Sequence, residues 1–320
     1  MPDLDHRVRD DIARIDAALD GKRLGVIGDP WFTESVVADL GERILLLDPN
    51  RPHDVTRCSA VLIHSCWPDL PSAWEGELLP TFGPKMLRLI EMCNGGADGL
   101  GAQVPIIYWH LEGGNESCWN TFRHFRDVAT VIGTTNSADL DRIEHEQPGK
   151  HGLYVPMGAS VAIFGAAPRE SFANSDGIIF AGRWYGDHSG RRTYLDLMRV
   201  AIENAGLGHI FMIPEWGNRK FWPAEYHKYL CKKLTWAGLS RYYRYMRLGL
   251  NNDLWGGDSV SMRAPCMMMA GLPVANKPDD LYLYANAIDW TETSRMLRER
   301  ALDHWRLTER VALMLDEAAS

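Results

Sequence analysis

Phe180-Ala181-Gly182-Arg183-Trp184 opens, and Met269-Ala270-Gly271-Leu272-Pro273-Val274 closes, the stretch whose reading decides the fold. The first piece reads as a buried strand ending in a glycine turn, with Arg183, Arg191 and Arg192 close behind. Such a turn brings backbone N–H groups and a helix N-terminus up to an anion, and arginines add charge and forked donors. The second piece reads as an apolar helix, a glycine C-cap and a further strand. Strand, basic turn, helix and strand again is the arrangement that holds a phosphate-bearing nucleotide in an open α/β sheet.

Working outward, the alternation continues on both sides. Downstream of Gly182 the pattern predicts a helix over Arg192–Asn204, a strand at His209–Ile213, helical character over Ala224–Leu239 and a strand at Leu248–Leu250. A helix over Ser259–Gly271, a strand at Pro273–Ala275 and one long terminal helix over Thr291–Ala319 complete that half. Upstream, Val8, Ile12, Ile15 and Leu19 recur at helical spacing. Short β-rich runs then follow at Leu24–Ile27, Ile44–Leu47, Val61–Ile63, Val104–Trp109 and Ala129–Ile132. Segments of helical character lie between them, clearest at Lys85–Met92, Trp119–Phe125 and Ser137–Glu144. Strands alternating with helices predict parallel sheets covered on both faces.

The two series break near Phe164–Asn174, a linker-like stretch with Gly165, Ala166, Ala167 and Pro168. The expectation is therefore an α/β protein of two Rossmann-like domains, residues 1–165 and 166–320. The terminal helix is long enough to return to the first domain. A chain of 320 residues exceeds the size at which one core stops growing, which agrees with two domains.

No apolar run is long enough to cross a bilayer, and Met1 to Gly21 is charged and amphipathic rather than a secretory leader. A cytoplasmic protein without membrane insertion is expected. Its six cysteines form no C-x-x-C pair, so reduced, buried thiols are expected and no metal site. Residues 1–160 hold 14 Lys/Arg against 24 Asp/Glu, a balance of −10, while residues 161–320 hold 20 against 18, a balance of +2. The half expected to hold an anion is the half that is not acidic.

With these features in place, the chain resembles the CgeB-like (spore-maturation-type) glycosyltransferases from about residue 55 to residue 290. The resemblance rests on Ser65-Cys66-Trp67 with Trp74-Glu75-Gly76, and on Val104 to Glu112, an apolar strand ending in a Trp-x-x-Glu pattern. Thr134-Thr135-Asn136-Ser137, Tyr154 to Ala159, Phe180 to Trp184 followed by Arg191 and Arg192, Leu250-Asn251-Asn252 and Arg263 to Pro273 also match. It implies the GT-B architecture, two facing Rossmann-like domains with a cleft between them. It also implies transfer of a sugar from a nucleotide-diphosphate sugar to a hydroxyl acceptor, the first domain on the acceptor side. The co-substrate expected first is a UDP-sugar, with no bound cofactor.

One position departs from the family pattern. Related retaining enzymes carry Glu-x7-Glu, and here those positions fall on Asp258 and Cys266. A thiol cannot replace the two-oxygen acceptor that grips a ribose diol. Either ribose recognition differs, or phosphates and base hold the nucleotide, and the stereochemical course stays open.

The candidate residues follow from that chemistry. Glycosyl transfer develops negative charge on the leaving nucleotide, so cations fixed there act mainly in the transition state. Gly182 and Arg183, with Arg191 or Arg192, are the candidates for the diphosphate. Asp258 and Ser259 precede the Met-rich helix as N-cap residues, with Arg263 one turn in. Glu215-Trp216 follows a strand end, where a ring and a carboxylate can meet a nucleobase. On the acceptor side His110 and Glu112 end an apolar strand and are candidate bases, and Asp29 in the Gly28-Asp29-Pro30 loop is a reserve.

Arg219 to Arg247 holds eight Lys/Arg against Glu225 alone, interleaved with Phe221, Trp222, Tyr226, Tyr229, Trp236, Tyr242, Tyr243 and Tyr245. Basic charge with stacking rings suits a polynucleotide; the same composition also suits a helix with rings packed inward and a solvated charged face. Two rival functions therefore stand beside the main one. One is a glycosyltransferase acting on a hydroxymethylated DNA base, as in phage enzymes. The other is a catalytically silent nucleotide-sugar-binding protein, suggested by Cys266.

Overall fold

The computed structural model describes residues 5–28, 30–48, 50–65, 88–95, 101, 103–110, 119, 123–165, 177–182, 190–214, 222–252, 263–285 and 290–320. These residues form two compact units. The first takes in the described residues up to Met157 together with Leu307–Ser320, and the second those from Gly158 to Arg306.

The first unit is built on a six-stranded parallel sheet of β1 (Arg23–Ile27), β2 (Ile44–Leu46), β3 (Cys58–Ser65), β4 (Ile106–His110), β5 (Val131–Thr134) and β6 (His151–Tyr154). Its order is β2-β1-β3-β4-β5-β6. Central strands such as Val61–Ile63 and Ile106–Tyr108 are apolar at every position because both faces are covered. On one face lie α1 (His6–Leu19), α2 (Pro30–Leu40) and the terminal helix Leu307–Ala319, which packs against α1, α2, β4 and β5. Alternation along the strands puts Trp109 and Gly133 on this face, where a Cβ on Gly133 would press on Trp109 and Met314. On the other face α3 (Arg123–Val128) and α4 (Ala138–Glu146) cover a core of Ile63, Tyr108, Trp119, Ile132 and Ile143.

The second unit begins with a short helix, α5 (Val161–Phe164). Its four-stranded parallel sheet comprises β7 (Gly177–Gly182), β8 (His209–Pro214), β9 (Leu248–Leu250) and β10 (Val274–Ala275), in the order β10-β9-β7-β8. The helices are α6 (Arg191–Asn204), α7 (Trp236–Tyr245), α8 (Arg263–Met269), α9 (Pro278–Ala285) and α10 (Trp290–His304), after which α11 is Leu307–Ala319 of the first unit. Phe180, Leu195, Met198, Met212, Leu250 and Leu281 share one core. The methionine run of α8 is packing: Met267 and Met269 are buried, and a Cβ on Gly249 of β9 would collide with the Met267 sulfur.

The structure corrects two expected helices. The stretch Thr291–Ala319 is two helices, broken at Trp305–Arg306. Ala159 donates its N–H to the Trp305 carbonyl (2.7 Å) and bridges to Arg306 in parallel, which takes those backbone groups out of a continuous helix. Ala224–Leu239 is not one helical segment either. A 3-10 turn at Ala224–Tyr226 is followed by an extended stretch, with Tyr229 and Cys231 hydrogen-bonded to Met212 beside β8 (2.9 and 2.8 Å). Helix α7 starts only at Trp236, where the Thr235 hydroxyl accepts from Gly238 N–H (3.1 Å). Edge strand β6 and the four-residue α5 were not anticipated.

Candidate functional site

In open parallel sheets ligands bind outside the carboxyl ends of the strands, at the point where the strand order reverses direction. In the second unit that point lies between β7 and β9. Strand β7 ends at Gly182, and α6 starts at Arg191 after Gly190, whose φ of 65° is the left-handed conformation glycine tolerates. Arg191 is wholly buried, with its guanidinium carbon 5.4 Å from the centre of the Phe180 ring. A Cβ at position 182 would lie 3.3 Å from Arg191 Nη1 and 2.9 Å from the Phe180 ring, so only glycine leaves both side chains where they are. A fixed guanidinium at the start of a 14-residue helix joins a full charge to the positive end of the helix dipole, and this arrangement is suited to an anion.

The neighbouring arginine behaves differently. Arg192 is half-exposed and pairs with Glu225 (2.6 Å). The structure thus brings Gly182 and Arg191 together and turns Arg192 toward solvent. Arg263, another sequence candidate, is the buried first residue of α8. Cys266, at the second position of the departed Glu-x7-Glu pattern, is buried one turn later. Asp29, Glu112, Arg183, Glu215, Trp216, Asp258 and Ser259 lie outside the described residues.

Residues at the ends of β9 and β10 were not among the candidates. Buried Asn251 donates from Nδ2 to Asn276 Oδ1 (2.9 Å), and its backbone N–H reaches the Ala275 carbonyl (3.0 Å), which also accepts from the Tyr194 hydroxyl (2.9 Å). Asp280 Oδ2 accepts the backbone N–H groups of Asn276 and Lys277 (2.8 and 3.2 Å), which fixes this corner. The available signal was an asparagine directly after each buried strand.

In the first unit the order reverses between β1 and β3. Gly28 follows β1, and His64 is the penultimate residue of β3. His64 is 1% exposed and stacks on Phe32 of α2, with centroids 4.0 Å apart and planes 9° apart. Trp31 and Trp109 meet it edge-on at 5.0 and 6.3 Å. Among the described residues no other residue offers a hydrogen-bond partner to either ring nitrogen. Burial holds its pKa well below the usual histidine range, so the ring is neutral. Sequence reasoning passed over His64, because a single histidine ending an apolar run has no pattern to mark it.

His110 ends β4 on the opposite face. It is buried, its Nδ1 lies 3.3 Å from the Tyr108 hydroxyl, and the Trp119 ring meets it edge-on at 5.4 Å. The guanidinium carbons of Arg126 and Arg142 lie 3.8 and 4.5 Å from the centre of that indole, whose Nε1 donates to Glu146 (2.8 Å). Burial lowers the Arg126 pKa. Thr134, paired in register with His110, donates its hydroxyl to the buried Asp139 carboxylate (2.8 Å). His110 is therefore buried beside polar and aromatic groups at the ends of β4 and β5.

The basic aromatic stretch divides. Trp222, Tyr226, Trp236 and Tyr243 are core residues, with Trp236 and Tyr243 against Phe164 (5.5 and 6.0 Å). Tyr242 and Tyr245 are exposed, as are Lys232, Lys233 and Arg241. Arg244 is spent on the Ile163 carbonyl (3.1 Å). Among the described residues no group of three His, Cys, Asp or Glu could hold a metal ion, and no helix is long and apolar enough to cross a membrane.

No protein-family model matches the chain, and no curated protein matches it in sequence. Solved structures align with its fold. TarM aligns over 82% of this chain and 55% of its own, at 8% identity and a TM-score of 0.55. A point mutant of S. aureus TarM, in complex with fondaparinux, alpha-GlcNAc-glycerol and UDP, aligns over 81% and 55%, at 9% identity and a TM-score of 0.54. An alpha-glucosyltransferase in complex with UDP and a 13-mer DNA containing an HMU base aligns over 87% and 85%, at 11% identity and a TM-score of 0.55. The chain thus spans about half the length of the TarM structures. The fold is α/β with two Rossmann-like units, the architecture of GT-B glycosyltransferases.

Proposed function

We propose that this chain is a glycosyltransferase that moves a sugar from a nucleotide-diphosphate sugar, a UDP-sugar first, to a hydroxyl acceptor. The bond between the anomeric carbon and the diphosphate oxygen breaks, and a bond from the acceptor oxygen to that carbon forms. The diphosphate leaves with the electron pair, and the acceptor proton passes to a base on the first unit, for which Glu112 and His110 are the candidates. The observation that carries this reading is Arg191, a buried guanidinium at a helix start beside Gly182, where the second sheet reverses direction. Charge held there stabilises the departing diphosphate more than the bound donor. UDP in the complexes of two structural neighbours supports the nucleotide assignment. The motifs from Ser65 to Pro273 favour the CgeB-like group among such enzymes, working in the cytoplasm.

Incubation with UDP-glucose and UDP-N-acetylglucosamine tests the reading. Slow release of UDP without an acceptor, quickened by an alcohol, is the expected result. Binding of UDP with no turnover of any nucleotide sugar would leave the silent binding protein, and no binding at all would remove the reading. A DNA base as acceptor is a second reading, favoured by exposed Tyr242 and Tyr245 beside Arg241 and by the DNA complex of one neighbour.

A further inference from the structure

We propose that the carboxyl end of β1 and β3 in the first unit is a binding site for a sugar or other neutral alcohol, with His64 as the residue that bonds its hydroxyl. Four observations meet there. The sheet reverses direction between these two strands, which is where such folds take ligands. Gly28 follows β1 and leads into the 11-residue α2; a Cβ on it would lie 2.8 Å from Phe32 Cδ1 and 3.2 Å from His64 Cβ, so glycine lets the cage close. His64 is buried, and among the described residues no other residue reaches either ring nitrogen, although buried polar side chains in proteins are generally paired. Among the described residues the rings of Trp31, Phe32 and Trp109 pack around it.

The chemistry of the ligand follows from that cage. A neutral imidazole offers one N–H donor and one acceptor nitrogen, and a hydroxyl is the small group that is both acceptor and donor. The rings bring no charge to balance an anion, whereas indoles offer flat apolar surface to the C–H faces of a sugar. Of the three rings Trp31 alone is partly exposed, so a ligand approaches from its side. An unsatisfied buried nitrogen costs stability, and a bound hydroxyl would recover that cost. Assigning this hydroxyl to the transfer reaction rests on the glycosyltransferase reading; the site itself does not. The hydroxyl can come from the donor hexose or from the acceptor alcohol.

The test compares wild type with His64→Phe, which keeps a ring in the Phe32 stack and removes both nitrogens. Melting temperatures are measured with and without methyl α-D-glucopyranoside. Polyols stabilise folded proteins in general by exclusion, and that part is common to both proteins. A larger glucoside-induced rise in wild type supports the site, and an equal rise in the two overturns it. If His64→Phe does not fold, His64→Leu takes its place, and His64→Gln, whose amide both donates and accepts, should retain the wild-type response. UDP-glucose turnover, expected to fall about a hundredfold in the variant, identifies the source. Loss of acceptor-free hydrolysis assigns the hydroxyl to the donor hexose, and loss of transfer to glycerol alone assigns it to the acceptor. Should wild type release no UDP from UDP-glucose, the glycosyltransferase reading fails, while the glucoside comparison still decides the site.

Discussion

The two units reverse their strand order at equivalent places and put opposite chemistry there. At the end of β7 the second unit buries a permanent cation, Arg191, against a glycine and a phenylalanine ring. At the ends of β1 and β3 the first unit buries a neutral imidazole, His64, among aromatic rings. The difference teaches that one topology does not dictate one ligand. A guanidinium at a helix start suits an anion, and a caged neutral ring suits a hydroxyl. The proposed transfer, which expels a diphosphate and consumes an alcohol, would use both.

The largest effect that can break this contrast is on turnover. If the base belongs to the first unit, Glu112→Gln lowers UDP-glucose turnover by about two orders of magnitude or more and leaves UDP affinity unchanged. Parallel loss of UDP affinity, measured by calorimetry, would move Glu112 out of the acceptor half.

A smaller effect sharpens the cationic side. Gly182→Ala forces a Cβ to within 2.9 Å of the Phe180 ring and 3.3 Å of Arg191 Nη1. Overpacking of that kind costs about 1–3 kcal/mol, read as a shift in the urea midpoint. A variant as stable as wild type would mean that the Phe180–Arg191 arrangement is loose.

The neutral side has a pH signature. The folded pKa of His64 lies well below its unfolded value of 6.5, so the unfolded chain binds the extra proton first. Its contribution to stability is present above 6.5 and is lost as pH falls below it, by about 1.4 kcal/mol per pH unit. Subtracting the pH–stability profile of His64→Phe from that of wild type should isolate this slope; identical profiles would show that the imidazole titrates normally.

The smallest expected effect concerns DNA. Trp236 is core, so its replacement by alanine should lower the melting temperature without altering DNA retention at low salt. Salt-sensitive binding that weakens on replacing Lys232 and Lys233 together would instead support the polynucleotide acceptor.

The fold could be read from the chain where its strands are covered on both faces. Runs such as Val61–Ile63 and Ile178–Phe180 need apolar residues throughout, and that is a strong local signal. Edge strand β6 carries two exposed and two half-buried residues and gives no such signal. The break at Trp305–Arg306 is set by pairing with Ala159, far away in sequence, which no local periodicity contains. Of the candidate site, the strand–glycine–arginine order pointed to Gly182 and Arg191, because close approach needs glycine and charge needs arginine. It could not say which of Arg191 and Arg192 faces inward; that depends on helix phase and on Glu225, more than thirty residues on. His64 went unnoticed because its meaning lies in three rings, two from α2 and one from β4, that only the folded sheet brings around it.

The division of labour between the two ends is tested most directly by calorimetric titration of UDP into wild type, Arg191→Met and His64→Phe. Loss of a charge-assisted contact to phosphate costs about 1.5–3 kcal/mol, so Arg191→Met should bind UDP more weakly by about tenfold or more, while His64→Phe stays within about twofold of wild type. Equal affinity in wild type and Arg191→Met, or an equal loss in both variants, would contradict the account.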